Sequence, residues 1–353
     1  MVVRIASYNT ALSRSSEGDL LNALTSGCDK QVLATVALLQ HIRPDIILLN
    51  EIDFDPSGRI VTLLQKALRH ANKDQNLDLP YAYSQAVNTG MPSGRDFDKD
   101  GIASDKGADA LGFGVFPGQY GMLLLSRFPI DTVATRTFQS FLWKDMPTPC
   151  LPKNSRGDSW FDTEDLSILP LSSKSHWDVA VDVYGKKLRC LCSHPTPPVF
   201  DGKEKRNACR NHDEIRFWTD YLSGEPYFYD DQGRTGGIDQ DDFVLLGDLN
   251  ASPTEGDSYR QAIVNLLNHP KVAHLPFPES EGGIEHSSQI EKNISKCHTA
   301  VWRMQADYVR VSQTLLPLNQ AVFWPKKASQ EATLLKNTSD HRLVYLDLPF
   351  TEI

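Results

Sequence analysis

Residues 242–253 read DFVLLGDLNASP. The apolar run Phe243–Leu246 reads as a strand built for a core, yet it stops at Gly247, Asp248, Leu249 and Asn250. That leaves a carboxylate and an amide two residues apart at its end. Similar runs recur, separated by stretches with helical spacing. Val3–Tyr8, Asp45–Asn50, Gly121–Phe128, a segment near Val133–Phe138, His176–Tyr184, Lys187–Ser193, Asp242–Gly247, Ala306–Val311 and Arg342–Leu348 read as strands. Gln31–Ile42, Gly58–Ala71, Ala208–Leu222 and Ser258–Asn268 read as helices, and Pro44 marks the end of the first. Strands and helices mix throughout, and several neighbouring strands read as antiparallel. The pattern predicts an α/β class fold: a four-layered α/β sandwich, two mixed β-sheets packed face to face with helices outside.

The chain has 353 residues, with no fixed-period repeat and no low-complexity linker, so a single domain over 1–353 is expected. Two stretches break the regular pattern and read as long insertions. Residues 88–118 are Gly/Asp-rich, and residues 139–172 carry Trp143, Trp160, Phe161, Lys153 and Arg156. Long ordered loops of this kind tend to carry function.

Composition narrows the partners. The net charge is −9, and runs of Lys/Arg do not exceed pairs such as Lys186-Lys187. A protein that grips long nucleic acid through its phosphates needs a basic face. A small ester is therefore favoured over a polynucleotide, although a local basic groove would still admit nucleic acid. No apolar stretch is long enough to span a bilayer. No cleavable leader is visible, because the first strand-like run begins at Val2. The six cysteines show no zinc-site spacing, and Cys190 and Cys192 read as buried thiols within a strand.

The ending of the 242–253 strand is not unique. Four apolar strands stop at Asn9, at Asn50-Glu51, at His194, and at Asp248 with Asn250. Two more begin at Asp307 and at Asp340-His341. If the last two run antiparallel to their neighbours, Asn9, Glu51, His194, Asp248, Asn250, Asp307, Asp340 and His341 converge on one rim. Any one of them could be a turn-favouring or solvated residue. Six strand termini sharing the habit make that explanation poor. Carboxylate and amide oxygens suit a hard cation, Mg²⁺ or Mn²⁺, better than zinc. A carboxylate can orient and deprotonate water, and imidazoles can donate to phosphoryl oxygens. The chemistry that follows is metal-assisted phosphoester hydrolysis.

The segments SYN (7–9), LLNE (48–51), GMLLLSRFPI (121–130), SH (193–194), GDLNASP (247–253), DYV (307–309) and SDHRLV (339–344) carry a resemblance. In this order they resemble the endonuclease/exonuclease/phosphatase superfamily across nearly the whole chain. Its members include exonuclease III-type AP endonucleases, pancreatic-type deoxyribonucleases, sphingomyelinases and inositol-polyphosphate phosphatases. The resemblance implies Asn9, Glu51 and Asp340 as metal-site residues. It implies Asp248 as the residue that activates water, with Asn250 as its positioning partner. It also implies Asp307 and His341 as an Asp–His pair, and His194 as the second histidine of the deoxyribonuclease- and sphingomyelinase-like branches. The chain departs from the family where Met122 stands in place of a frequent Asn; Tyr120 lies near a position where some members place an active-site Tyr.

More narrowly, FPGQYGM (116–122), FLWKDMP (141–147), SSKSHWDV (172–179), SHPTPPVFDG (193–202) and RNHDEIR (210–216) resemble a group of bacterial, often exported members. That resemblance makes Lys174, His176, Arg210, Asn211 and Tyr120 candidate substrate contacts. It also implies a periplasmic or extracellular location; a monomer is expected. Asp96, Asp98 and Asp100 precede Gly101 in a DxDxDG pattern, the first half of an EF-hand-like loop. A structural Ca²⁺ is the functional expectation there, with Asp105 or Asp109 replacing the missing twelfth-position acid; an acidic solvated loop is the alternative. The leading expectation is a divalent-metal-dependent phosphoesterase acting on small phosphodiesters or phosphomonoesters. A nuclease for DNA or RNA and a non-catalytic binding module on the same scaffold are the competing readings.

Overall fold

The computed structural model describes residues 1–70, 76–238 and 241–351; Ala71, the expected end of one helix, lies outside them. Among the described residues the strands are β1 (Val2–Asn9), β2 (Ile46–Asn50), β3 (Tyr81–Tyr83), β4 (Met122–Ser126), β5 (Ile130–Thr137), β6 (Trp177–Val183), β7 (Lys186–Cys192), β8 (Asp242–Asp248), β9 (Asp307–Val311), β10 (Asn319–Val322) and β11 (Val344–Pro349). They form two mixed sheets, ordered β10-β11-β1-β2-β4-β3 and β5-β6-β7-β8-β9.

Alternation along each strand explains the four layers. Ile46 and Leu48 of β2 enter the core between the sheets, while Ile47 and Leu49 face the helices. In β8, Val244 and Leu246 point inward, and Phe243 and Leu245 point outward. Strands covered on both faces read as continuous apolar runs, which is why IILL and FVLL show no polar alternation. Helices α1 (Asp19–Ser26), α2 (Lys30–Ile42) and α3 (Arg59–Arg69) cover the first sheet. A short helix α4 (Thr163–Ile168) lies in the second insertion, and α5 (Arg206–Ser223) and α6 (Gln261–Leu267) cover the second sheet. Two short helices, Glu281–His286 and Lys292–Ser295, lead towards β9.

Strand direction positions the site. β1 runs parallel to β2 and antiparallel to β11. β7 runs parallel to β8, and β9 runs antiparallel to β8 with Asp248 opposite Asp307. The ends of β1, β2, β7 and β8 therefore share an edge with the start of β9 and the approach to β11. Sequence periodicity missed β3 and β10, three and four residues long, which are too short to display alternation. It also started the last strand early: residues before Val344 form a loop in which the Arg342 N–H donates to the Thr299 carbonyl.

Candidate active site

The rim is built from backbone outward. Gly247 has φ +152°, and a Cβ there would lie 2.0 Å from the Ser193 carbonyl oxygen, so only glycine lets β8 approach the end of β7 this closely. This brings His194 to Asp248. Glu51, Tyr120 and Asn250 all adopt left-handed φ angles of +55°, +55° and +50°. Non-glycine residues seldom sit there, and such strain concentrates where a side chain must be aimed.

Asp248 Oδ2 is the hub. Asn9 Nδ2 donates to it at 3.0 Å and to Glu51 Oε1 at 3.0 Å, joining the two sheets. His194 Nε2 and His341 Nε2 lie 3.5 and 3.6 Å from the same oxygen. On the far side of its ring, His341 Nδ1 meets Asp307 Oδ2 at 2.8 Å. Thr299 Oγ1 donates to that Asp307 oxygen at 2.7 Å. Trp302 packs edge-on against the His341 ring, with centroids 4.6 Å apart. The Asp248 N–H donates to Asn50 Oδ1 at 3.2 Å, and Asn250 fixes the turn by donating from its N–H to Asp248 Oδ1 and from Nδ2 to the Pro195 carbonyl.

These contacts set the charges. Burial alone would lower the His341 pKa, but Asp307 and Asp248 overcome it and raise it to about 10, so the ring is an imidazolium at neutral pH. Burial pushes Asp248 up, while His341, His194 and the Asn9 amide pull it further down; it stays ionised. Burial raises Asp307 to about 6 against the pull of His341. His194 is lowered by burial and by Lys174, against Asp248, so it is neutral; neither of its ring nitrogens makes a hydrogen bond. The rim thus holds one cationic and one neutral imidazole beside a buried carboxylate.

The expected residues divide into groups. Asn9, Glu51, His194, Asp248, Asn250, Asp307 and His341 come together. Asp340 is exposed, and its Oδ1 accepts from the Ser339 hydroxyl at 3.3 Å. Lys174, Arg210 and Tyr120 line a cavity beside Glu51 and His194. Arg210 spends donors on the carbonyls of Leu171, Leu111 and Pro170, which ties the insertions to α5. His176 and Asn211 do not reach that cavity, contrary to expectation, because each is sealed in packing. His176 bonds to the Glu214 carbonyl at 2.8 Å and packs at a tilt against Phe217, with ring centroids 4.3 Å apart. Asn211 Nδ2 bridges the Thr196 and Leu249 carbonyls. Asn50, Thr299 and Glu214 were missed as positioning residues. Asn50 stands in the LLNE segment, but only the packing of one sheet on the other, which sets the end of β2 against the end of β8, reveals its task.

Among the described residues, two clusters could hold a cation. Asp248, Asp307 and His341 offer ligand atoms within 4.8 Å of one another, as do Asp96, Asp98 and Asp109. In the second, Asp109 takes the place expected of Asp100, whose carboxylate instead accepts the Ile102 N–H. In the first set the His341 imidazolium has no free lone pair for a metal, so the hard oxygen donors that fit a divalent ion are the Asp248 carboxylate with those of the neighbouring Glu51 and Asn9. Glu51 and Asp248 share a single amide donor, which leaves further lone pairs to satisfy.

A four-layer sandwich with a carboxylate, amide and imidazole rim defines a metal-dependent phosphoric ester hydrolase. The chain belongs to the Endonuclease/Exonuclease/phosphatase family, whose model matches residues 6–341. No curated protein matches it by sequence. Among solved structures it resembles an endonuclease/exonuclease/phosphatase from Beutenbergia cavernae DSM 12333, with TM-score 0.54 and 16% identity over 99% of this chain and 72% of that one. It also resembles an endonuclease/exonuclease/phosphatase family protein from Leptotrichia buccalis C-1013-b, with TM-score 0.50 and 13% identity over 99% of this chain and 100% of that one. At these identities the likeness concerns the fold. No described helix is long and apolar enough to cross a membrane.

Proposed function

We propose that the protein is a divalent-metal-dependent phosphoesterase for small phosphodiesters or phosphomonoesters, acting as one domain over 1–353 in the periplasm or outside the cell. The observation that carries this reading is the convergence of two imidazole Nε2 atoms on Asp248 Oδ2 at 3.5 and 3.6 Å. Both distances are too long for strong hydrogen bonds, so both donors are poised for an oxygen placed between them.

Mg²⁺ or Mn²⁺ held by Glu51, Asn9 and neighbouring carboxylates would supply Lewis-acid neutralisation of phosphoryl charge. Asp248, ionised and beside the rim opening, orients water and accepts its proton. His341, kept cationic by Asp307, donates to a non-bridging oxygen as negative charge grows. His194, neutral with an unspent Nε2, donates to a second oxygen or to the leaving group. Asp340 is assigned to the metal by family resemblance, and Asp109 with Asp96 and Asp98 is the candidate calcium loop.

A nuclease would use the same rim. The net charge of −9 and the cavity walls contributed by residues 88–118 and 139–172 favour a small ester. Assays with Mg²⁺ or Mn²⁺ on bis(p-nitrophenyl) phosphate, p-nitrophenyl phosphate and plasmid DNA separate the readings. Turnover of the small esters is expected. Rapid DNA cleavage with negligible small-ester hydrolysis would overturn the proposal.

A further inference from the structure

A cavity of about 540 Å³ adjoins the rim. Its catalytic end is formed by Glu51, Tyr120, Lys174 and His194. Residues 88–118 and 139–172 supply an apolar wall of Phe97, Phe113, Trp143, Phe161 and Leu169, and residues 196–210 complete the lining with the apolar Pro197, Val199 and Phe200 and the polar Arg206, Asn207 and Arg210. The volume falls within the roughly 300–1,000 Å³ range of sites that enclose a small organic molecule.

The wall is a built surface. Phe97 and Phe161 pack edge to face at 5.6 Å. The Phe97 N–H is held by Asp109 Oδ1 at 2.7 Å, and its carbonyl accepts from Trp160 Nε1 at 2.8 Å. Arg95 and Lys99 of one insertion both reach the buried Asp165 of the other, at 2.7 and 2.6 Å. Trp143 spends its indole N–H on Asp213 Oδ2 at 2.7 Å, so it offers only carbon to the cavity.

Lys174 supplies the second observation. It is 5% exposed and lines the cavity. Among the described residues its ammonium makes no hydrogen bond and has no carboxylate within ion-pair distance. A cation on so little exposed a residue, with no ion-pair partner at contact distance, is one that an anion arriving with the ligand would pair.

We infer that this cavity binds the organic part of the substrate, and that this part is a compact apolar group of aromatic size. The phosphoryl oxygens then lie between His194 and Lys174. The inference rests on the phosphoesterase reading above and narrows it. Against the phenyl and indole wall a nucleobase's edge donors and acceptors would lose their water unpaired, and they would find partners only towards the Arg206 and Asn207 end of the lining.

The test measures binding, separately from turnover. Calorimetric titration of the Asp248→Ala protein, which is expected to bind without turnover, compares methyl phosphate, 2-naphthylmethyl phosphate and thymidine 5′-phosphate with Mn²⁺ present. The naphthylmethyl ester is expected to bind at least ~10-fold tighter than the methyl ester, from the apolar area it buries. Ala108 also lines the cavity, and Ala108→Trp should collapse that ratio towards one. Phe113→Ser, at a residue 62% exposed, gives a second variant that keeps the core and should reduce the ratio several-fold. Lys174→Met should weaken all three ligands by about 10-fold, through loss of a charged hydrogen bond. Equal binding of the three, tighter binding of the nucleotide, or a ratio unmoved by both cavity variants would overturn the inference. Naphthylmethyl preference without hydrolysis of any small ester by the parent protein would leave the cavity assignment standing and overturn the phosphoesterase reading instead.

Discussion

His341 Nδ1 lies 2.8 Å from Asp307 Oδ2, and this contact, with Asp248 beyond the other face of the ring, fixes the charge of the site. Two carboxylates bracket one imidazole and raise its pKa to about 10. Asp307→Asn removes one of them and frees the ring to rotate. A drop in kcat of about 10²-fold or more is expected. His341 gains protonation from its partners, so its cationic form persists up to the raised value and is lost above it. In the variant the alkaline limb of the kcat/KM profile should move to lower pH. A profile with an unmoved alkaline limb would remove His341 from the role of charged donor.

Asp248→Ala takes away the residue on which Asn9, His194 and His341 converge. Loss of hydrolysis by about 10²-fold or more is the expected outcome, with the fold retained by circular dichroism. Surviving activity would show that another group handles the water.

Glu214 is buried, and its two oxygens accept the N–H groups of Ser173 at 2.6 Å and Thr196 at 2.5 Å. Those segments carry Lys174 and His194. Glu214→Ala strands two buried donors at about 1–3 kcal/mol each, so a loss of roughly 2–6 kcal/mol in urea unfolding is predicted. Glu214→Gln keeps the shape and one good acceptor, and should recover much of that stability. If alanine and glutamine cost the same, the carboxylate is not what holds the two segments.

Glu51 shares the Asn9 amide with Asp248 and sits at a left-handed φ of +55°. Chelation by EDTA should abolish hydrolysis, and Mg²⁺ or Mn²⁺ should restore it. On the proposed assignment Glu51→Gln takes one anionic oxygen from the metal site, so the metal concentration for half-maximal activity should rise by about 10-fold or more. An unchanged metal requirement would place the ion elsewhere on the rim.

Much of this site was legible because its chemistry sits at strand ends. Apolar runs such as IILL and FVLL announce strands covered on both faces, and the residues that follow them, Glu51 and Asp248, stand out by contrast. The convergence of those ends required only that β9 and β11 run antiparallel to their neighbours, as they do. Long-range partners were not legible. Thr299 reaches Asp307 across a loop, and Asn50 reaches Asp248 across the two sheets. His176 misled for the opposite reason: its motif gave its chemistry but not its direction. The side chain turns towards α5, where Phe217, Trp218 and the Glu214 carbonyl enclose it.

That enclosure makes His176 a stability element with a definite pH window. Burial lowers its pKa from 6.5 to about 4, so the native ring is neutral. In the unfolded chain it takes up a proton near 6.5. Below that pH the unfolded state binds the extra proton and is favoured, so stability is full above about 6.5 and falls until the native ring also protonates near 4. The ring is 1% exposed, so solvent screens little of this effect. Its size is on the order of 3 kcal/mol across the window. His176→Phe keeps an aromatic ring against Phe217 but cannot titrate. It loses the bond to the Glu214 carbonyl, so at pH 7 it should be the less stable protein. Between pH 6.5 and 4 its urea-unfolding free energy should fall less steeply than that of the parent. Parallel profiles for the two proteins would mean that His176 is not buried neutral in solution.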